Sequence, residues 1–137
     1  MSIPVHETTI HVRWGELDPY QHVTHATYLS YLEHARIAAL ESIGWGMDEI
    51  AATGHQVVVV RAEVRFRVPA RGGDELVVRT SIDRLRAASS TWRQVVVRSD
   101  TVILEAEITA ACTTTAGRPA RTPEAFQRAL AELLAGD

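Results

Sequence analysis

The chain has 137 residues, 46% of them hydrophobic and 23% charged, and its 14 basic residues, all arginine, face 17 acidic ones for a net charge of -3. That length and balance fit one globular domain over 1–137 that buries a core without metal or disulfide staples, and they argue against a protein built to hold nucleic acid. No apolar run approaches the ~18 residues of a membrane helix, Cys112 has no intramolecular partner, and MSIPVHETTI lacks the pattern of a signal peptide, so a cytoplasmic protein without membrane insertion is expected.

Residues 8–14, TTIHVRW, set Ile10, Val12 and Trp14 on one face and His11 and Arg13 on the other, the period of a half-buried strand. From Ala26 to Ile43, the residues Leu29, Leu32, Ala35, Ala39, Leu40 and Ile43 recur at helical spacing. This predicts one long helix with a core face, stopped by GWG at 44–46. MDEIAATG reads as a short helical segment ending at Gly54.

Strands follow. HQVVVVRAEVRFRV, 55–68, places Val58, Val60, Ala62, Val64, Phe66 and Val68 on one side and Arg61, Glu63, Arg65 and Arg67 on the other, until Pro69 ends it. After the RGGDE turn, three β-branched stretches at 76–86, 89–100 and 101–115 connect most simply as an antiparallel meander, with Cys112 a buried thiol in the last. TPEAFQRALAELL gives a closing amphipathic helix, with Thr122 as N-cap and Pro123 at the first helical position. The fold class is α+β, an antiparallel sheet of about five strands around one long helix, with a C-terminal helix.

The residues able to do chemistry collect between the first strand and the long helix, in WGELDPYQHVTHATYLSYLEHAR, 14–36. A carboxylate just before a helix N-terminus has unpaired N–H groups and the positive end of a dipole beside it. Transfer of an acyl group to water needs chiefly a carboxylate, or a water that the carboxylate activates, and a site for the negative charge growing on the carbonyl oxygen. Asp18 and the start of the helix supply both, with no metal and no cofactor.

His25 is placed to orient substrate or pass a proton to a leaving group. Glu16 lies two residues from Asp18, so in extended chain both carboxylates point to one side, although a solvated loop acid explains Glu16 more simply. His22, His25 and His34 lack the fixed additional ligand that a zinc site requires. Tyr28, Tyr31 and Trp45 are expected to pack in the core.

The run VRWGELDPYQHVTHATYLSYLEHAR resembles the signature of the 4-hydroxybenzoyl-CoA thioesterase branch of the hot-dog superfamily, including the short-chain acyl-CoA thioesterases of the bacterial Tol-Pal system. The element order and the P…GDEL turn extend the likeness over nearly the whole chain. The resemblance implies a hot-dog fold, with Asp18 as the carboxylate that attacks the thioester or activates water. It also implies that the backbone N–H at His25 polarises the carbonyl, and that Tyr28 walls the acyl pocket. Trp14 stands where the Tol-Pal members carry a tyrosine, and Gln21 where a glycine is common.

The same resemblance puts the coenzyme A nucleotide on the turn between the third and fourth strands, here Arg86, Ser89 and Ser90, a patch that equally suits the phosphopantetheine of an acyl carrier protein. Coenzyme A is then part of the substrate, and a homodimer or homotetramer is expected because the family's pocket lies between protomers. A hot-dog hydratase or dehydratase, or a non-catalytic acyl-CoA-binding module, is the competing reading.

Overall fold

The computed structural model describes residues 6–135. Strand β1 (His6–His11) leads through a 3-10 turn (Trp14–Glu16) to the long helix α1 (His25–Ser42), then the short α2 (Met47–Ala52). Four strands follow, β2 (His55–Phe66), β3 (Glu75–Leu85), β4 (Ser89–Arg98) and β5 (Thr101–Thr114), and α3 (Glu124–Leu130) runs into a 3-10 turn (Ala131–Leu133). All five strands form one antiparallel sheet in the order β1-β3-β4-β5-β2. The meander over β3–β5 is as the sequence predicts, whereas β2 crosses to the far edge and pairs with β5. Among the described residues no helix is long and apolar enough to cross a membrane.

Helix α1 buries Tyr28, Tyr31, Leu32, Ala35, Ala39 and Leu40 against Leu76, Val78, Ile82, Trp92, Val96, Leu104 and Ile108 of the sheet. Ala35 and Ala39 are fully buried, and their small side chains let the helix lie close to the strands. Gln94 is a fully buried polar side chain in this core. The Gln94 amide donates to the Leu32 carbonyl (2.9 Å) and Thr80 Oγ1 (3.1 Å) and accepts from Arg36 Nη1 (2.9 Å), so it is satisfied and pins α1 to β4. Gly44, at φ 83°, ends the helix in the left-handed region that glycine enters without strain.

The structure corrects four local expectations. Trp14 leaves the strand face and lies 70% exposed over Gly72, where an added Cβ would stand 2.3 Å from the indole. Leu29 points outward, and Tyr28 and Tyr31 take the core positions in its place. Within β2, Val59 pairs with Ala110 and Arg61 with Thr109, so Val60 is the extra residue of a bulge. The bulge reverses the alternation: Val57 and Val59 share the helix-side face with Ala62, Val64 and Phe66, while Val58 joins the charged face. Finally, Pro123 rather than Thr122 is the N-cap of α3, and no side chain caps it.

The charged side of β2 is a ladder of exposed ion pairs. Arg61 lies 3.3 Å from Glu63, Arg65 3.7 Å from Glu63, and Arg67 2.8 Å from Glu105. Exposed pairs of this kind add little stability. Cys112 is buried in β5 as expected, and burial pushes its thiol pKa up.

Candidate active site

The site forms where the loop before α1 meets the end of β2. Asp18 Oδ1 accepts from the backbone N–H of Tyr20 (2.8 Å) and of His22 (3.1 Å), while the Asp18 N–H donates to the His22 carbonyl (2.7 Å). One carboxylate oxygen is therefore spent on folding the turn. The other, Oδ2, accepts no hydrogen bond among the described residues. The tight turn puts Gln21 at φ 66°, a conformation that costs a residue with a Cβ roughly 1–2 kcal/mol and explains why glycine suits this position.

Thr24 caps α1: its Oγ1 accepts from the Thr27 N–H at 3.3 Å and lies 2.7 Å from Thr27 Oγ1. Thr24 also donates its N–H to the Glu16 carbonyl (3.1 Å), tying the helix start to the 3-10 turn. The first helical amides, His25 and Ala26, have no protein acceptor among the described residues. They are free donors at the positive end of an 18-residue helix.

Asp18, His22, Val23, His25 and Tyr28 line a cavity of about 160 Å³ whose far wall is Phe66, Arg67, Val68 and Pro69. The His25 imidazole stacks on the Phe66 ring, with centroids 4.3 Å apart and planes 24° from parallel. Tyr28 is buried behind them, its ring 5.6 Å from Phe66 and its hydroxyl accepting from the Ala70 N–H at 2.8 Å. Burial raises its pKa, so Tyr28 serves here as wall and strap. The strap is doubled by the Val23 N–H donating to the Ala70 carbonyl (2.9 Å).

The segment behind that wall is held by charge. Arg98 Nη1 donates to Asp74 Oδ2 (2.7 Å) and, at 3.4 Å, to the carbonyl of Pro69. Burial would raise the Asp74 pKa, but the Arg71 N–H (2.9 Å) and the Arg98 guanidinium outweigh it and hold the carboxyl below its usual range.

Glu16 and Asp18 do not face the same space. Glu16 Oε1 accepts from the Arg13 N–H (2.9 Å) and the Tyr31 hydroxyl (2.7 Å) and lines a separate cavity of about 530 Å³ with His11, Tyr31 and His34. Each acid is held by its own partners, Glu16 by Arg13 and Tyr31 at the end of the 3-10 turn and Asp18 by Tyr20 and His22 in the loop that follows. The three histidines are likewise divided, His22 and His25 in the Asp18 cavity and His34 in the other.

Arg86, Ser89 and Ser90 stand at the opposite end of the sheet. Arg98, which reaches Pro69 beside the site, ends β4, and Ser89 begins it. Nine residues of strand at ~3.3 Å each put roughly 30 Å between them. Ser90 is 7% exposed and its Oγ accepts from Trp92 Nε1 at 2.8 Å, so it faces the core. Arg86 is exposed at the turn, which its N–H closes by donating to the Ser89 carbonyl (2.8 Å).

The wall of Phe66, Arg67, Val68 and Pro69 was not visible as part of a site in the sequence. An aromatic residue at a strand end, just before a proline, is the one local sign of it.

A model of the thioesterase-like superfamily matches residues 12–130. The chain is 32% identical over 134 residues to an acyl-acyl carrier protein thioesterase, ATL3, of Arabidopsis thaliana, covering 96% of this chain and 70% of that one. It is 35% identical over 113 residues to the long-chain acyl-CoA thioesterase FadM of Escherichia coli, covering 77% and 81%. Among solved structures, the hypothetical protein TT1821 of Thermus thermophilus superposes with a TM-score of 0.88 at 35% identity, covering 93% of this chain and 98% of that one.

Proposed function

The chain belongs to the thioesterase-like superfamily, whose chemistry is hydrolysis of acyl thioesters, and from that premise we propose that Asp18 and the first amides of α1 perform it on an acyl group carried by coenzyme A or an acyl carrier protein. The carrying observation is the division of labour at Asp18. Oδ1 is locked into the turn by two backbone N–H groups, and Oδ2 is left open in a cavity beside helix amides that have no acceptor among the described residues.

In this reading the acyl carbonyl rests on the His25 N–H. Asp18 Oδ2 takes a proton from water as the water oxygen bonds to the carbonyl carbon, or bonds to that carbon itself. The oxyanion collapses, the C–S bond breaks and the thiolate takes up a proton. The water route leaves the free acid directly, whereas direct attack leaves an Asp18–acyl anhydride that a water then cleaves to the free acid and the Asp18 carboxylate. Tyr28, Phe66 and Val68 wall the acyl group. No cofactor enters, since coenzyme A is part of the substrate.

The functional unit is a dimer joined along β2. A cavity of 160 Å³ is smaller than the ~300–1,000 Å³ of sites that enclose small molecules, which points to a half-site. The β2 edge exposes Val59, Val60, Phe66 and Val68 and, among the described residues, pairs with no strand on its outer side. Antiparallel pairing of two β2 strands turns the partner end for end. The partner's Arg86 and Ser89 then come to the same end of the joined sheet as Asp18, where they are placed to meet the phosphates of the carrier. Ser90, bonded to Trp92 in the core, has no part in that contact.

Thiol release from a panel of acyl-CoAs and acyl carrier protein thioesters, for the native chain and Asp18→Asn, tests the reading. Asn retains an oxygen for the turn and loses only the chemistry at Oδ2. A fall of roughly a hundredfold to ten-thousandfold in kcat is expected. Native rates in Asp18→Asn, or hydration of enoyl-CoA without thiol release, would overturn it.

A further inference from the structure

We propose that the two copies join in one register, with Val64 on the two-fold axis, so that Ala62 lies beside the partner's Phe66 and Glu63 beside the partner's Arg65. This rests on the β2 dimer argued above and adds to it the residues that the partner brings to the site.

Keeping both helices on the same side of the joined sheet requires residues of the same face to stand opposite each other, so the axis must pass through a residue of β2. Its charged face then decides among the choices, because Arg61, Glu63 and Arg65 alternate in sign. An axis at Glu63 sets Glu63 against itself and Arg61 against the partner's Arg65. An axis at Arg61 sets that arginine against itself. Like charges directly opposite are destabilising, and opposite charges favour pairing. Axes at Ala62 and at Val64 remain, the first matching Glu63 with the partner's Arg61, the second with the partner's Arg65.

The bulge separates these two. With the axis at Ala62, Val64 runs onto the partner's bulged Val60, and the regular ladder ends after residues 61–63. With the axis at Val64, the stretch 61–67 is clear of the bulge. The small Ala62 faces the large Phe66, and Val60 faces Val68, so exposed apolar residues cover one another. Arg61 then stands opposite the partner's Arg67, each already held by its own acid, Glu63 at 3.3 Å and Glu105 at 2.8 Å. Phe66 stacks on His25 and walls the Asp18 cavity, so the partner's Ala62 closes the open side of that cavity.

Single cysteines introduced into the full chain, whose own Cys112 is buried in β5, test the register. Directly opposed residues have Cα atoms ~4.5–5.5 Å apart, within disulfide range. Oxidised Val64→Cys should therefore run as a covalent dimer on a non-reducing gel, and Ala62→Cys as a monomer. Cross-linking through Ala62→Cys and not Val64→Cys overturns this register while leaving the dimer.

A charge exchange reads the same point without cysteine. Arg65→Glu should weaken the dimer by roughly 2- to 30-fold in Kd by sedimentation, and adding Glu63→Arg should recover it. Recovery by the pair Arg61→Glu and Glu63→Arg instead places the axis at Ala62 and overturns the proposal. A monomer at every concentration, with neither cysteine cross-linking, removes the dimer itself. Thiol release by the native chain reports on hydrolysis separately.

Discussion

His25 and Phe66 stack ring on ring at 4.3 Å, joining the first residue of α1 to the last residue of β2. That contact sets the width of the Asp18 cavity, because the two residues stand on separate elements and each lines it. A stacked pair adds about 0.5–1.5 kcal/mol beyond its buried area. In Phe66→Ala, kcat/KM should fall roughly 2- to 10-fold and preference should move toward bulkier acyl groups. Loss of the stack on His25 and of the Phe66 contact in the β2 dimer should also lower Tm modestly, so the change in acyl preference is the readout specific to the cavity wall. An unchanged chain-length profile would separate Phe66 from acyl selection.

The role given to the His25 amide is separable from that of its side chain. His25 is the first helical residue, where proline is tolerated, and Thr24 at φ -68° and ψ 151° already has the extended backbone that precedes proline. His25→Pro thus removes the N–H without removing the helix start, and His25→Ala removes the imidazole alone. His25→Pro should lose roughly a hundredfold to a thousandfold in kcat relative to His25→Ala, the cost of one oxyanion donor. Equal rates in the two variants would move the oxyanion site elsewhere.

What the sequence made legible follows from what is local. Asp18 before a capped helix, the alternation in β3–β5 and the long apolar stripe of α1 are short-range patterns, and the fold keeps them. The bulge at Val60 is not local: four consecutive valines read equally well in either phase, and only pairing with Ala110 and Thr109 selects one. Trp14 likewise carries a strand pattern until Gly72, distant in sequence, offers its ring a flat seat. The site wall at Phe66–Pro69 arises from β2 crossing to the far edge, a property of topology that periodicity does not carry.

Glu16 illustrates how proximity in sequence misleads. Its carboxylate accepts from the Tyr31 hydroxyl at 2.7 Å, and burial together with that negative charge pushes the Tyr31 pKa up, so the hydroxyl stays a donor. Tyr31→Phe removes a hydrogen bond to a charged group and should cost about 1.5–3 kcal/mol in urea unfolding. Since Tyr31 and Glu16 line the other cavity, kcat should stay within about twofold. A large loss of kcat with unchanged stability would assign Glu16 to the chemistry instead.

The ion pair behind the site gives a pH dependence whose sign is fixed by its geometry. Burial opposes ionisation of Asp74, but the Arg71 N–H and the Arg98 guanidinium at 2.7 Å outweigh it and lower its pKa in the folded chain. A depressed folded pKa means that the ionised group stabilises the fold. The contribution is complete above the unfolded value of about 3.9 and is lost as pH falls below that value and through the folded pKa. Asp74→Asn should accordingly lower Tm at pH 7, and the gap to the native chain should narrow as pH falls below about 3.9 and through the folded pKa. Arg98 also reaches the Pro69 carbonyl at 3.4 Å, so the same variant loosens the cavity wall and should raise KM more than it lowers kcat. Melting curves across pH check the first statement and steady-state kinetics at pH 7 the second. A Tm gap that does not narrow as the pH is lowered through the carboxylate range would mean that the pair is not what holds the turn.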